Sequence, residues 1–365
     1  AMAGNKSLNA AAAAKQDEFY TQLSDIEKEL RHYRKHFAGK TVLCNCDDPF
    51  ESNFFKYFVL NFRRLKLKKL ISTCYAGSPI IYTQMNFVGD EEEVVEIVRE
   101  KKPYKVEVTQ VYDTTGDGGV DMLDVAELFR MGKNSLELLD GDGDFRSPEC
   151  LELMDEADIV VTNPPFSLFR DYVALLMEHE KKFVIIGPQN AIHYKEIFPY
   201  IRDNEVWLGY NNGDMAFTVP EYYEPRATRF WVDEQGQKWR SMGNMCWFTN
   251  LDIKKRHEEM ILAKRFKPEN YPTYDNFDGI DVGSLVEIPC DFAGVMGVPD
   301  TFLYQYNPEQ FQIIGIGSGT LAKEVGVKRN YRGRTDIAYT IDGVSKCPYS
   351  RILIRNLHPE EAKQL

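Results

Sequence analysis

The sequence predicts an α/β protein: an open sheet with helices between its strands, followed by a mixed, loop-rich C-terminal region. Three observations predict it. Short apolar runs of strand length alternate with stretches of helical periodicity from the N-terminal side onward. Many of those runs stop on Asp, Asn, Gly or Pro, the residues that end strands and open turns. After about residue 250 the helical periodicity fades, and Pro, Gly, Tyr and Asp become frequent.

The elements follow in order. The start, AMAGNKSLNAAAAAKQ, lacks the long apolar run of a signal peptide, and residues 1–14 are expected to be a cloning scar and a disordered tail. Residues 15–37 read as a helix, because Phe19, Leu23, Ile26 and Leu30 recur at helical spacing among charged residues. TVLCNC (41–46) is a short apolar strand that stops at Asp47-Asp48-Pro49. Asn53 to Phe62 is an aromatic-rich helix, and KKLISTCY (68–75) is the second strand of a β-α-β unit. KVEVTQV (105–111) alternates like a strand. The acidic spacing that follows, Asp113, Thr115, Asp117, Gly118, Asp121 and Asp124, approaches a calcium loop. It lacks the glutamate at position twelve and the preceding helix, so it reads as a solvated turn.

LELLDGDGDFRS (136–147) ends a strand on Asp-Gly-Asp-Phe, and PECLELMDE (148–156) is a short helix. DIVVT (158–162) is a strand, FSLFRDYVALLME (166–178) a helix, and KKFVIIGP (181–188) the next strand. EVWLGY (205–210), TRFWV (228–232) and MCWFTN (245–250) are further strands. FQIIGI (311–316), DIAYTI (336–341) and RILIRN (351–356) are strands amid loops. A catalytic domain is expected over 15–250 and a second region over 251–365. No internal repeat is evident.

Composition narrows the function. No run of eighteen apolar residues exists, which excludes a transmembrane helix. Seven scattered cysteines, with no C-x-x-C, fit reduced thiols in a cytoplasm. His32 and His36 stand one helical turn apart but read as an exposed helix face, so no metal is expected. The net charge of −12 alone argues against a nucleic-acid partner. From Leu321 to Asn356, however, eight positive side chains face three negative ones. Such a concentration is the footprint of a phosphate-binding surface, or else of a merely basic C-terminal segment.

The segment DIVVTNPPFSLF (158–169) carries the chemistry. Two prolines stop the strand and fix a few polar atoms in one stiff geometry. Asn163 then sits at the C-terminal end of a strand, where open α/β sheets bind ligands. The exocyclic amine of a base is a poor nucleophile, because its lone pair is delocalised into the ring. The Asn163 side-chain carbonyl and the Pro164 backbone carbonyl can accept its two N–H bonds and free that lone pair. Phe166 offers an aromatic face for stacking. Catalysis of this kind is mostly positioning.

Asn163-Pro164-Pro165-Phe166 resembles the catalytic motif of amino-methyltransferases that methylate adenine N6 or cytosine N4 in DNA. DEFYTQLSDIEKEL, CNCDDPFESNFFKYF, LKKLISTCY, GDGDFRS, MCWFTN and GVMGVPDTFLYQYNPEQF extend the resemblance to the EcoRI-type DNA adenine methyltransferases, in a consistent order over most of the chain. The resemblance implies a Rossmann-like class I methyltransferase sheet with helices on both faces, and a C-terminal target-recognition region. It implies S-adenosyl-L-methionine as cofactor and double-stranded DNA as substrate. A cognate restriction endonuclease sharing the site, a monomeric state and a bacterial or phage-encoded cytoplasmic enzyme belong to the same expectation.

By that resemblance Phe19, Tyr20 and Thr21 contact the methionine part of the cofactor. Asp48, Pro49 and Phe50 form the loop after the first strand. Cys74 and Tyr75 lie near the ribose. Asp144 and Phe145 hold the adenine of the cofactor. Asn163, Pro164, Pro165 and Phe166 take a flipped target base, since N6 is out of reach within the stack. Lys328, Arg329, Arg332, Arg334 and Lys346 touch DNA. Two features depart from the general methyltransferase pattern. Glu51-Ser52-Asn53 stands where the first motif has glycines, and STCY lacks the acidic residue that commonly binds ribose.

Other readings share parts of this pattern. N4-cytosine methyltransferases more often carry Ser in place of Asn163. Enzymes that methylate protein glutamine usually carry Tyr at the fourth motif position. A sequence-specific binder on a decayed scaffold would fit the absent glycines but needs neither NPPF nor GDGDF. Gly315, Gly317 and Gly319 resemble a glycine-rich cofactor loop, but too little chain follows for a cofactor half-domain, and they read as a turn.

Overall fold

The computed structural model describes residues 19–47, 49, 51–74 and 102–361. The chain divides into two compact units. The first runs to Gln189 and adds Gly209–Leu251. The second combines Asn190–Leu208 with the chain from Asp252 onward.

The first unit is a mixed α/β structure built on a large sheet. Its strands are β1 (Thr41–Cys44), β2 (Lys69–Thr73), β3 (Tyr104–Val108), β4 (Ser135–Leu138), β5 (Ile159–Thr162), β6 (Lys182–Pro188), β7 (Trp207–Thr218), β8 (Phe230–Val232) and β9 (Lys238–Thr249). They lie in the order β4-β3-β2-β1-β5-β6-β9-β7, with β8 paired to β9. The centre is parallel: β1 pairs with β2 and β5, and β5 with β6. The flanks are antiparallel, through β2–β3, β3–β4 and β6–β9. β1 and β5 are buried at every residue, which explains their unbroken apolar sequences. From β1 the chain goes to β2 on one side and later returns to β5 on the other. The carboxyl ends of β1 and β5 therefore flank a topological switch point, the usual ligand position in such sheets.

The longer helices are α1 (Leu23–Leu30), α2 (Asn53–Leu60), α3 (Met122–Arg130), α4 (Pro148–Glu156) and α5 (Phe169–Glu178). Ser52 caps α2 and Ser147 caps α4, with Pro148 opening the latter. The expected helix over 15–37 is shorter. Tyr20 exchanges backbone hydrogen bonds with Thr218, so the chain runs extended there rather than helical. Pairing across the sheet outweighs local periodicity there. The expected strands at 205–210 and 245–250 are longer, reaching twelve residues each as β7 and β9. Their polar halves give no apolar signal.

The acidic turn before α3 is a capping device. Asp121 and Asp124 form a reciprocal capping box. Asp124 also accepts from Thr114 N, Thr114 Oγ1 and Thr115 N. Asp113 accepts from Gly116 N and Gly118 N. These carboxylates are thus engaged by the chain's own donors. His32 stacks on Tyr210, with centroids 3.8 Å apart. No group of three or more potential metal-ligating side chains occurs among the described residues. No helix among them is long and apolar enough to cross a membrane.

The second unit holds a four-stranded sheet, β10 (Ile280–Asp281), β11 (Met296–Pro299), β15 (Arg351–Asn356) and β12 (Phe311–Ile316), in that order. A hairpin of β13 (Tyr339–Ile341) and β14 (Val344–Lys346) stands apart from it. Tyr274, Ala322, Val327, Ile337 and Leu353 pack as a core cluster. Gly317 belongs to this packing. A Cβ there would stand 2.6 Å from Ile337 Cδ1, which gives the glycine-rich run a steric reason.

Candidate active site

Asn163 follows β5 directly and is only 4% exposed. Its Nδ2 donates to the Phe19 carbonyl at 2.5 Å. Its Oδ1 is buried and has no hydrogen-bond partner among the described residues. A buried amide oxygen left unmatched is costly, and such an atom is a candidate for a ligand donor. Pro164 is buried, and the Pro165 carbonyl accepts from Leu168 N at 3.0 Å, closing the turn that carries Phe166. The Phe166 ring stacks on Phe19 with centroids 5.1 Å apart and planes 17° from parallel. Phe217 meets both rings edge-on.

The end of β1 is tied to the end of β5. Thr162 Oγ1 donates to the Asn45 carbonyl, and Tyr172 on α5 donates its hydroxyl to Asn45 Oδ1. Burial pushes the Tyr172 phenol well above its ordinary range, so it stays a donor. Cys46 adopts a left-handed conformation, φ 81°, a position that favours glycine. The chain therefore makes the sharp turn after β1 at a non-glycine residue.

Next to this lies the extended stretch around Tyr20. Thr21 is buried, and its carbonyl accepts from Asn53 Nδ2 at 2.8 Å. Its Oγ1 is a second buried polar atom with no partner among the described residues. A cleft of about 930 Å³ opens beside the pair, lined among others by Tyr20, Gln22, Asn53, Lys56 and Pro220.

The Gly-Asp-Gly-Asp loop completes the cluster. Gly143, at φ 77°, packs on the Cys74 backbone at the end of β2. Asp144 is bound by Arg146 through Nε at 2.9 Å and Nη2 at 2.7 Å. That guanidinium holds the Asp144 carboxyl below the usual carboxylate range. Arg146 also lies over the Phe145 ring at 5.1 Å. Phe145 packs edge-on to Tyr172, with centroids 4.9 Å apart.

The structure thus places Phe19, Tyr20, Thr21, Cys74, Asp144, Phe145, Asn163, Pro164, Pro165 and Phe166 in the unit built on the large sheet. Pro49 is buried in the loop after β1. Asp48, Phe50 and Tyr75 lie outside the described residues. Lys328, Arg329, Arg332, Arg334 and Lys346 belong to the second unit and are all exposed. Asn45, Arg146 and Tyr172 hold the cluster together and were not singled out from sequence, and Asn53 was noted only as standing in place of a motif glycine. Tyr172, a polar-tipped residue in the apolar run of α5, was the one visible signal.

Comparison with known proteins identifies relatives over nearly the whole length. The family model described as "Adenine-specific methyltransferase EcoRI" matches residues 7–357. The chain is 42% identical over 358 residues to the type II methyltransferase M.EcoRI of Escherichia coli, covering 97% of each. It is 34% identical to the type II methyltransferase M.MpnI of Mycoplasma pneumoniae, over 95% of this chain and 97% of the relative. It is 36% identical to M.MgeORF184P of Mycoplasma genitalium, over 84% of each. No solved structure matches the chain.

Proposed function

The chain belongs to the EcoRI family of adenine-specific methyltransferases, and from that premise we propose how its residues do their work. It is a site-specific DNA adenine methyltransferase that draws its methyl group from a donor cofactor. The donor is S-adenosyl-L-methionine, held on a Rossmann-like class I sheet over residues 15–250, and residues 251–365 read the DNA target.

The observation that carries this reading is the buried Asn163 Oδ1 at the switch point, which has no partner among the described residues and lies three residues before Phe166 in the chain. It is an acceptor without a donor, which suits an exocyclic amine. The target adenine is flipped out of the duplex, because a base inside the stack cannot reach the site. Asn163 Oδ1 and the Pro164 carbonyl accept the two N6 hydrogens and draw the nitrogen toward tetrahedral geometry. Phe166 stacks on the base. None of these groups titrates, so activation of the amine needs no general base.

The residues present fit the cofactor. The buried Thr21 hydroxyl offers a hydrogen bond to its methionine end. Tyr20 and Pro49 flank that end, and Cys74 stands at the ribose position. Asp144 accepts from the adenine of the cofactor once it shares its carboxylate with Arg146, and Phe145 gives the apolar wall. When bound, the cofactor supplies an electrophilic methyl group on a positively charged sulfur. The chain aligns the amine with it, and alignment is the main contribution to rate. The same reading makes the enzyme a cytoplasmic monomer on double-stranded DNA, with a cognate restriction endonuclease that shares its site.

The test is to incubate the protein with S-adenosyl-L-methionine and mixed genomic DNA, then map modified bases by single-molecule sequencing. N6-methyladenine in one short motif is the expected result. N4-methylcytosine, or no modification by a protein that binds the cofactor, would overturn it.

A further inference from the structure

Phe19 meets both groups that the reading above gives to the target base. Its ring covers the face of Phe166 at 5.1 Å. Its carbonyl takes the amide hydrogen of Asn163 at 2.5 Å. One residue thus engages both the Phe166 ring, through its side chain, and the Asn163 amide, through its backbone. Phe217 and Tyr223 close around the Phe19 ring edge-on, at 6.0 and 5.9 Å. Phe19 and Asn163 are each 4% exposed.

Two consequences follow from the chemistry. A carboxamide has one end that donates and one that only accepts. With Nδ2 bound to the Phe19 carbonyl, Oδ1 is the end left over, and it is the atom without a partner. The carbonyl thereby fixes which end of Asn163 meets a substrate amine. The second consequence is steric. The two rings are one stacking contact apart, which leaves no room for a base between them.

We propose that Phe19 is a positioning residue of the target-base pocket. Its carbonyl holds Asn163 with Oδ1 toward the amine, and its ring fills the base's place on Phe166 until the flipped adenine displaces it. The proposal rests on the reading that Asn163 and Phe166 take the target base. It departs from the cofactor contact that the N-terminal motif implies for Phe19. The ring's neighbours are Phe166, Phe217 and Tyr223, whereas the unpartnered hydroxyl facing the cofactor role belongs to Thr21. Occupancy by the ring competes with the base and lowers its apparent affinity by the fraction of molecules in which the place is filled.

Alanine at position 19 keeps the carbonyl and removes the ring, so it separates the two roles. The experiment uses the full chain and a duplex carrying the mapped motif, with 2-aminopurine at the target adenine. Phe19→Ala is expected to bind this duplex at least about threefold more tightly, with brighter 2-aminopurine fluorescence, as the competing state is lost. Its affinity for S-adenosyl-L-methionine by calorimetry is expected to stay at the wild-type value. Phe19→Leu, which keeps apolar bulk but not the flat ring, is expected to move the same way by less, and it carries the test if the alanine variant melts early. Weaker duplex binding would make Phe19 a wall of the base pocket, and weaker cofactor binding would make it a cofactor contact. No change in either would take the ring out of the base's place. Each of these overturns the proposal. Asn163→Ala is measured in parallel. If it leaves the 2-aminopurine signal of the wild-type complex unchanged, the base-pocket reading itself fails, whatever Phe19 does.

Discussion

Gly143 packs on Cys74 so closely that a Cβ at position 143 would collide with the Cys74 carbonyl oxygen and stand 2.9 Å from the Pro103 side chain. The contact locks the loop that carries Asp144 and Phe145 to the end of β2. Gly143 also has φ 77°, a conformation that costs other residues roughly 1 kcal/mol. Gly143→Ala is therefore expected to push Asp144 and Phe145 away from the sheet. If this loop holds the cofactor, the expected outcome is a loss of S-adenosyl-L-methionine affinity of about tenfold or more, since an overpacking strain of about 1–3 kcal/mol falls on it. Calorimetric titration checks it. Wild-type affinity in a folded Gly143→Ala protein would remove this loop from the cofactor site.

Asn163→Ala removes the unpartnered acceptor and leaves the Phe19 carbonyl without its donor. Methyl transfer is expected to fall by about 10²–10³, the cost of deleting one preorganised hydrogen-bonding group at a reacting centre. Cofactor affinity is expected to change little, because Thr21 and Asp144 are untouched. Single-turnover assays beside calorimetry separate the two. A variant with full turnover would remove Asn163 from the mechanism.

Asp124 accepts from the Asp121 backbone N–H, and further from Thr114 and Thr115, and these bonds hold its carboxyl down to about 2. A carboxyl lowered in the folded state stabilises the fold fully above its ordinary value of 3.8, and that share is lost as pH falls toward 2. The melting midpoint of the wild type is expected to drop across this window. Asp124→Asn, which cannot satisfy the same set of donors, is expected to melt roughly 2–4 °C lower at neutral pH and to show a shallower fall in acid. Calorimetric scans between about pH 5 and pH 2 test the sign. An unchanged acid profile would mean that other carboxyls govern acid unfolding.

The parts of this fold that were legible in sequence are those fixed by local pattern. β1, β5 and β6 were visible as apolar runs because parallel central strands are buried on both sides. The place of Asn163 was visible because two prolines end a strand in few other ways. What was not legible depends on pairing between distant segments. Tyr20 leaves the helical pattern for Thr218, nearly two hundred residues away in sequence. Asn45, Asn53 and Tyr172 matter through bonds to residues outside their own segments, and a polar residue carries no mark of its distant partner. Cys46 shows the same limit, since a cysteine carries no mark in the sequence of the left-handed backbone it adopts.

The basic segment of the second unit supplies the last prediction. Two asparagines build its loop. Asn276 donates to the Lys328 and Asp336 carbonyls, both at 2.8 Å, and accepts from Ala338 N at 2.9 Å. Asn330 accepts from Arg332 N and Arg334 N and donates to the Asp336 carbonyl. The loop backbone is thus held from within while Lys328, Arg329, Arg332 and Arg334 stand exposed. If this surface tracks DNA phosphates, affinity falls steeply with salt, and each phosphate contact removed lowers the slope of log K against log salt by about 0.9. Arg332→Ala with Arg334→Ala is expected to lower that slope. Asn276→Ala removes no charge but frees the loop, so it is expected to weaken binding at every salt concentration with the slope kept. Two kinds of variant thus separate charge from scaffolding. Fluorescence anisotropy on the mapped duplex across a salt series measures both. A slope that stays the same after both arginines are removed would place the phosphate contacts elsewhere on the chain.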